Sequence, residues 1–302
     1  MNICVLGGSG FVGTELVRRL VFAGHWVRVP TRNPAAADRL RVLDTAELRE
    51  ANVHDPRVLS QLFADCDTVV NLIGILNERR GATFATVHAA LAAKVLAAAR
   101  RAGVRRLLHM SSLGAAEHAP SSYLRSKAAA EAALLAPPSP GEPQPVVTLF
   151  RPSVIFGAHD SLTNRFAHLL RLSCGVLPLA RAGARFAPIS VLDVVEAFMR
   201  VVLRTGGSGA SGATYELCGP EVLTLEQIVR LTARIAALPC HIVRVPDALG
   251  RLQGLAMGML PGKPFSLDNF RSLTLDSVCR QDGCAALGIV PRPMLAELPR
   301  YL

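Results

Sequence analysis

Apolar and polar positions follow two alternating periods through the first half of the chain. Short, nearly continuous apolar runs predict strands buried on both faces. They fall at Asn2–Leu6, Trp26–Pro30, Thr68–Ile73, Arg106–Ser111 and Val146–Phe150, and Leu48–Ala51 is expected as a short third strand. Between them lie stretches with helical spacing. In Phe11–Ala23, the residues Val12, Leu16, Leu20 and Val21 share one face, and Pro56–Phe63, the Ala-rich Phe84–Ala102 and Tyr123–Leu135 follow. Strand–helix alternation of this kind predicts right-handed crossovers and an α/β fold, a doubly wound parallel sheet of about seven strands. The Pro-rich stretch 137–145 predicts a loop. After Gly157 the alternation loosens. Helices are expected at Asn164–Leu172, Asp193–Leu203 and Leu225–Ala236, the last opened by Thr224 as N-cap. A strand is expected at Tyr215–Cys218 and a Gly/Ser-rich turn at Gly206–Gly212.

Composition narrows the class. The chain has 302 residues, 50% of them hydrophobic and 19% charged, which supports a sizeable core and excludes disorder as the main state. No charge-free apolar run reaches the roughly 18 residues of a spanning helix. The start, apolar at once and without a basic region or cleavage site, is not expected to be a secretory signal. The net charge is +10, and all but three of the 33 cations are Arg. This fits either a basic surface with no special role or one that meets anionic lipid, an acidic partner or a polyphosphate ligand. No Lys/Arg tract with interleaved aromatics exists, so nucleic acid is not an expected partner. The seven Cys (4, 66, 174, 218, 240, 279 and 284) are odd in number and lack a C-x-x-C pair. They are expected as reduced thiols, mostly small core residues, with Cys279 and Cys284 buried, in a cytosolic compartment. The eight His show no ligand spacing, so no metal is expected.

Three segments carry chemistry. Gly7-Gly8-Ser9-Gly10-Phe11-Val12-Gly13 follows the first strand and opens the first helix. Glycines there permit a tight turn and let the helix N-terminus approach a pyrophosphate. At the end of the second strand, where NAD-binding chains often place an acid, stand Thr31 and Arg32. An Arg can meet a ribose 2′-phosphate in a charge-assisted, bidentate contact, so NADP(H) is preferred and NAD(H) remains open. The third segment is Tyr123-Leu124-Arg125-Ser126-Lys127. With three Tyr and three Lys in the chain, a chance Tyr-x-x-x-Lys is rare, and on a helix both side chains share a face. A neighbouring ammonium favours the phenolate, which makes Tyr123 a candidate acid/base for a carbonyl or hydroxyl. Ser111 or Ser112, ending the preceding strand, would bind the substrate oxygen.

These segments resemble the short-chain dehydrogenase/reductase superfamily, in its extended or atypical branch. Asp55, the run Val70-Asn71-Leu72-Ile73-Gly74 and Arg151-Pro152-Ser153-Val154-Ile155-Phe156-Gly157 extend the likeness. It is greatest to the group related to the 39-kDa accessory subunit of respiratory complex I. The telling stretches are His109–Ala115, Ser122–Ala128, Asn164-Arg165-Phe166 and Tyr215–Pro220. The resemblance implies a Rossmann domain from 1–158 with about 186–222, and a smaller substrate or partner region from 159–185 and 223–302. It implies cofactor contacts from the Gly7–Gly13 turn, Asp55 (adenine), Leu72, Ile73, Gly74, Tyr123, Lys127 (ribose), and Pro152 with Val154 (nicotinamide amide). Extended members place an Asn near Val87-His88; His88 would replace it in a proton relay, or simply cap or pack.

The resemblance leaves two function classes open. One is an NADP(H) oxidoreductase or epimerase-like enzyme using Tyr123, Lys127 and Ser111 or Ser112 on a small or quinone-like substrate. The other is a nucleotide-binding accessory or assembly protein of respiratory complex I without turnover, peripheral at the inner membrane face. A quinone-biosynthesis reductase is a related option, and a homodimer through the helices 84–102 and 123–135 is also open. The stretch Asp247–Leu260 has Leu249, Leu252, Leu255, Ala256 and Met259 at helical spacing and almost no acid. It reads as a core-packing helix, a lid, a partner-docking helix or an interfacial helix.

Overall fold

In the computed structural model, the described residues are 1–204, 212–260, 263 and 265–302. Of the expected turn at Gly206–Gly212, residues 206–211 lie outside them. By its contacts the chain divides into two compact units. The first comprises 1–112, 126–151 and 194–215; the second comprises 113–125, 152–193 and 216–302.

The first unit is built on a seven-stranded sheet. In chain order its strands are β1 (Asn2–Leu6), β2 (Trp26–Thr31), β3 (Ala46–Glu50), β4 (Thr68–Asn71), β5 (Arg106–Met110), β6 (Val146–Pro152) and β7 (Ala213–Leu217). Their order across the sheet is β7-β6-β5-β4-β1-β2-β3. The pairings from β3 through β6 are all parallel. The apolar runs are apolar because both faces are covered: every residue of β4 is buried, as are Ile3–Leu6 of β1. On one face, Leu59, Leu62 and Phe63 of the helix Pro56–Phe63 and Leu91, Val95 and Ala99 of the helix Leu91–Arg101 pack against Cys4, Val69, Leu107 and Leu149. The helix Phe11–Phe22 buries Val12, Leu16, Val17 and Leu20, and Phe198 of the helix Val191–Val202 stacks on Phe150, 4.1 Å between ring centroids. The expected helix over 84–102 opens with one wider π-turn, Ala85–Ala90, before the regular helix begins. Such turns recur at functional sites, and this one carries His88.

The second unit contains segments the periodicity did not mark. Val176–Ala180 and His241–Val245 form a separate parallel pair. Each is five residues long; Val176–Ala180 is apolar throughout but interrupted by Pro178, which argues against a strand, and His241–Val245 has no buried residue. The helices Thr163–Leu172 and Leu225–Ile235 share a core of Leu170, Leu177, Leu179, Leu225 and Val229. Their starts are fixed by side chains. Asp160 accepts from the backbone N–H groups of Leu162 and Thr163, and Thr224 forms a reciprocal capping box with Gln227. The segments 152–158 and 186–193 make their contacts in this second unit.

Two expectations about cysteine are corrected here. Cys218 and Cys279 are joined in a disulfide, so Cys279 is not a buried free thiol. Their separation of 61 residues lies outside any short-spacing test; the fold brings the end of β7 beside the 276–280 loop. Cys174 is exposed rather than a core residue, on a left-handed turn that ends a helix; Cys4, Cys66 and Cys284 are buried as expected.

Candidate functional site

The glycine turn is shaped by contacts only glycine permits. Gly7 has φ +80°, a left-handed conformation that side chains disfavour. A Cβ on Gly13 would stand 2.2 Å from the Gly7 carbonyl oxygen and 2.6 Å from Gly8 Cα. The third glycine therefore locks the first turn of the helix against the strand end. The helix is capped by Gly10 with no side-chain acceptor and has no acid in its first turn. Its first N–H groups and its dipole are left for an anion. A Cβ on Gly7 would meet the backbone of Leu72 and Ile73 at 3.2 Å, so the turn lies against the chain leaving β4. The order of strands reverses between β1 and β4, where ligands of doubly wound sheets bind. Ser9 is exposed and Phe11 half-buried at the same turn.

At the end of β2, Thr31 is buried and its hydroxyl bonds Asn33. Arg32 is exposed and forms no ion pair among the described residues. His54 has its pKa lowered by burial, then by the charges of Lys94 and Arg32. Asp55 caps the helix Pro56–Phe63, its Oδ1 accepting from Arg57 N–H at 2.8 Å.

A buried polar cluster stands at the carboxyl ends of β4 and β5. Lys127 is 4% exposed and donates from Nζ to the Met110 carbonyl at 3.0 Å. Burial pulls its pKa down to about 8 against the opposing pull of Glu131. Glu131, one turn further along, is itself buried and held by the Arg151 guanidinium, with Arg151 Nε 2.8 Å from its Oε1. His88 Nε2 accepts from the Ile75 backbone N–H at 3.0 Å. The proton of the neutral ring therefore sits on Nδ1, which donates to Ser126 Oγ at 2.7 Å. Burial and then Lys127 hold the His88 pKa at about 3, so the ring stays neutral. A Cβ on Gly74 would stand 3.2 Å from Lys127 Nζ and 3.5 Å from His88 Nε2, so the chain after β4 crosses directly over this pair. Ser111 Oγ is buried with no hydrogen-bond partner among the described residues, and so are both ring nitrogens of His109. Ser112 is half-buried.

Tyr123 lies one turn before Lys127 on the continuous helix Ser122–Leu134, with its side chain half-buried. The N–H groups of Ser122 and Tyr123 donate to the two carboxylate oxygens of Asp268, at 2.7 and 3.0 Å. That carboxylate fixes the helix start. Pro152 and Val154 belong to the second unit, where their carbonyls accept from Leu113 and Ile189. The first unit thus brings together the Gly7–Gly13 turn, Leu72–Gly74, His88, Ser111 and Lys127. Asp268 and Glu131 lie outside the motifs, while Ser126 and Arg151 stand inside them without an expected role of their own. Of these, Glu131 had a local signal, being four residues after Lys127 on the same helix.

The model of the NAD dependent epimerase/dehydratase family matches residues 3–218. The chain belongs to that family. It is an extended short-chain dehydrogenase/reductase, and its sheet order and glycine turn are consistent with that membership. It is 30% identical, over 281 residues, to the mitochondrial NADH dehydrogenase [ubiquinone] 1 alpha subcomplex subunit 9 of Arabidopsis thaliana, covering 91% of this chain and 68% of that one. It is also 30% identical over 247 residues to the ceramide reductase of Caulobacter vibrioides, covering 81% and 74%. Among solved structures, the UDP-glucuronic acid 4-epimerase of Bacillus cereus, in complex with UDP-glucuronic acid and NAD, superposes with a TM-score of 0.76 at 14% identity, covering 99% and 96%. At that identity the likeness is one of fold. Among the described residues, no helix is long and apolar enough to cross a membrane.

Proposed function

We propose that this family member is an NADP(H)-dependent oxidoreductase that interconverts a carbonyl and a hydroxyl group on a hydrophobic or quinone-like substrate. The observation that carries the reading is Lys127. It is a buried ammonium with its pKa brought to about 8, one turn from Tyr123 and bonded to the carbonyl of Met110, the residue before Ser111, whose buried hydroxyl has no partner among the described residues. Burying a lysine is costly, and a site that does so gains a positioned charge. The residues present fit a dinucleotide. The Gly7–Gly13 turn closes on its own backbone and leaves the first N–H groups of the helix uncapped for a pyrophosphate, and Arg32, in no ion pair among the described residues, offers its guanidinium to a 2′-phosphate. When bound, the nicotinamide would supply the hydride acceptor or donor.

In this reading each residue has one task. Tyr123 passes the proton to or from the substrate oxygen. Lys127 holds the ribose hydroxyls and favours the Tyr123 phenolate. Ser111 or Ser112 hydrogen-bonds the reacting oxygen. His88 is neutral and committed to Ile75 and Ser126, so it sets the path of the Gly74–Ile75 backbone rather than titrating. Substrate class is supported by two relatives, one named for ubiquinone and the other for ceramide, both hydrophobic.

Tyr123→Phe tests the proposal in a ketone and quinone screen followed by NADPH oxidation. Turnover should fall about 10²–10⁴-fold, with NADPH affinity kept within about twofold. Full turnover in that variant would sink the mechanism. A second reading, an accessory or assembly subunit of respiratory complex I at the inner membrane face, rests on the 30% identity over 91% of the chain to a complex I subunit. It expects comigration with complex I on a native gel of solubilised membranes, and no turnover to lose.

A further inference from the structure

We propose that the helix Asp247–Gly258, continued by Met259 and Leu260, docks the second unit onto an anionic lipid surface. The inference does not depend on whether the dinucleotide site turns over. The helix is inverted relative to an ordinary surface helix. Its glycines Gly250 and Gly254 face inward: a Cβ on Gly250 would lie 2.9 Å from both Ala180 Cβ and the Phe270 ring. One on Gly254 would lie 3.1 Å from Leu267 N. Its large residues face out, with Leu249, Leu252 and Leu255 57–60% exposed, Met259 84% and Leu260 52%. At about 100° per residue these five cover one unbroken arc of roughly 140°. The core-packing reading of these leucines is thereby corrected, since the buried face is the glycine face.

The charges around the stripe choose its occupant. From 248 to 267 there is no acidic residue. Asp247 is paired with Arg181 at 2.6 Å, and Asp268 is spent on the N–H groups of Ser122 and Tyr123. Arg251 lies at the margin of the stripe, and Arg271 on the adjacent helix Leu267–Ser272; both are exposed, with no acidic partner among the described residues. An apolar stripe edged by cations without anions complements acyl chains below anionic headgroups. A second copy of the same face would oppose Arg251 to Arg251 across a two-fold axis, with no acid to compensate.

The test is cosedimentation of the intact chain with vesicles of phosphatidylcholine alone or with roughly 30% phosphatidylglycerol. Partition should be at least about tenfold stronger into the anionic vesicles. The exposed substitutions Leu252→Gln and Met259→Gln together should abolish it, with the melting temperature and NADPH binding kept. Arg251→Gln with Arg271→Gln should remove most of the preference for anionic lipid. Equal binding by the Leu252→Gln/Met259→Gln variant, or no vesicle binding by the wild type, overturns the proposal. So does concentration-dependent dimerisation that this variant loses while vesicles are ignored, which would assign the face to a second copy.

Discussion

Two stretches of the chain use glycine at regular spacing, and they use it for opposite ends. Gly7, Gly10 and Gly13 recur every third residue across a strand–turn–helix junction. Gly250, Gly254 and Gly258 recur every fourth along a single helix. In the first set the missing side chains open the surface: the turn closes on itself through Gly13 and Gly7, and the helix N–H groups remain available. In the second set they close it: the helix backbone approaches Ala180, Phe270 and Leu267, and the leucines are left outside. Spacing tells the two uses apart. A period near the 3.6 residues of a helical turn aligns glycines on one face, whereas three residues across a junction distributes them around a bend.

The comparison breaks most readily at Gly13. Gly13→Ala puts a Cβ 2.2 Å from the Gly7 carbonyl oxygen and 2.6 Å from Gly8 Cα, backbone atoms that cannot swing away. Overpacking against rigid backbone should cost at least about 3 kcal/mol and remove NADPH binding. Gly183→Ala is the control, because its Cβ would meet nothing within 4 Å; it should stay within about 0.5 kcal/mol. Urea unfolding and a fluorescence titration with NADPH read both effects. NADPH affinity unchanged in Gly13→Ala would remove the turn as the pyrophosphate seat.

Buried elements were legible and half-exposed ones were not. β1, β4 and β5 show as apolar runs because both their faces are covered. β3, with the sequence Ala-Glu-Leu-Arg-Glu, lies at the sheet edge and was placed two residues late. The pair Val176–Ala180 and His241–Val245 left no periodic trace. The helix over 247–258 was legible, but its buried face was not, because apolar spacing marks a stripe without saying what covers it. At the site, the glycine turn and Lys127 were readable because their chemistry is local in sequence. Asp268, which fixes Tyr123 from 145 residues away, and the Cys218–Cys279 bond are products of the tertiary fold alone.

Acidification sharpens the contrast between a site that buries bases and a helix that exposes leucines. His88 titrates at about 3 in the folded chain, depressed first by burial and then by Lys127, and near 6.5 when unfolded. Between those values the unfolded chain takes up a proton that the folded one refuses. Stability is therefore full above about pH 6.5 and falls as pH drops toward 3. For this one group the loss is on the order of 4 kcal/mol. His109, buried beside Lys127 and His88 and also depressed, adds to the slope. His88→Asn should make the slope of unfolding free energy against pH shallower by up to one proton. An unchanged slope would mean that His88 is solvated in the folded chain.

The smallest effects test the glycine face itself, through a difference of sign. Alanine stabilises a helix over glycine by up to about 1 kcal/mol wherever its Cβ has room. At Gly258 the nearest atoms are Ser266 Cα at 3.7 Å and Cβ at 3.8 Å, ordinary contact distances. Gly258 is the last helical residue, so Gly258→Ala should gain only a few tenths of a kcal/mol. At Gly254 the Cβ would meet Leu267 N at 3.1 Å and Leu267 Cα and Ser266 C at 3.2 Å, all backbone. The helix would have to lift, and Gly254→Ala should lose about 1 kcal/mol despite the better propensity. NADPH affinity should be the same in both, since neither touches the Gly7–Gly13 turn. Equal stability in the two variants would mean that the close approach does not hold the leucines outward, leaving the inverted face to the leucines alone.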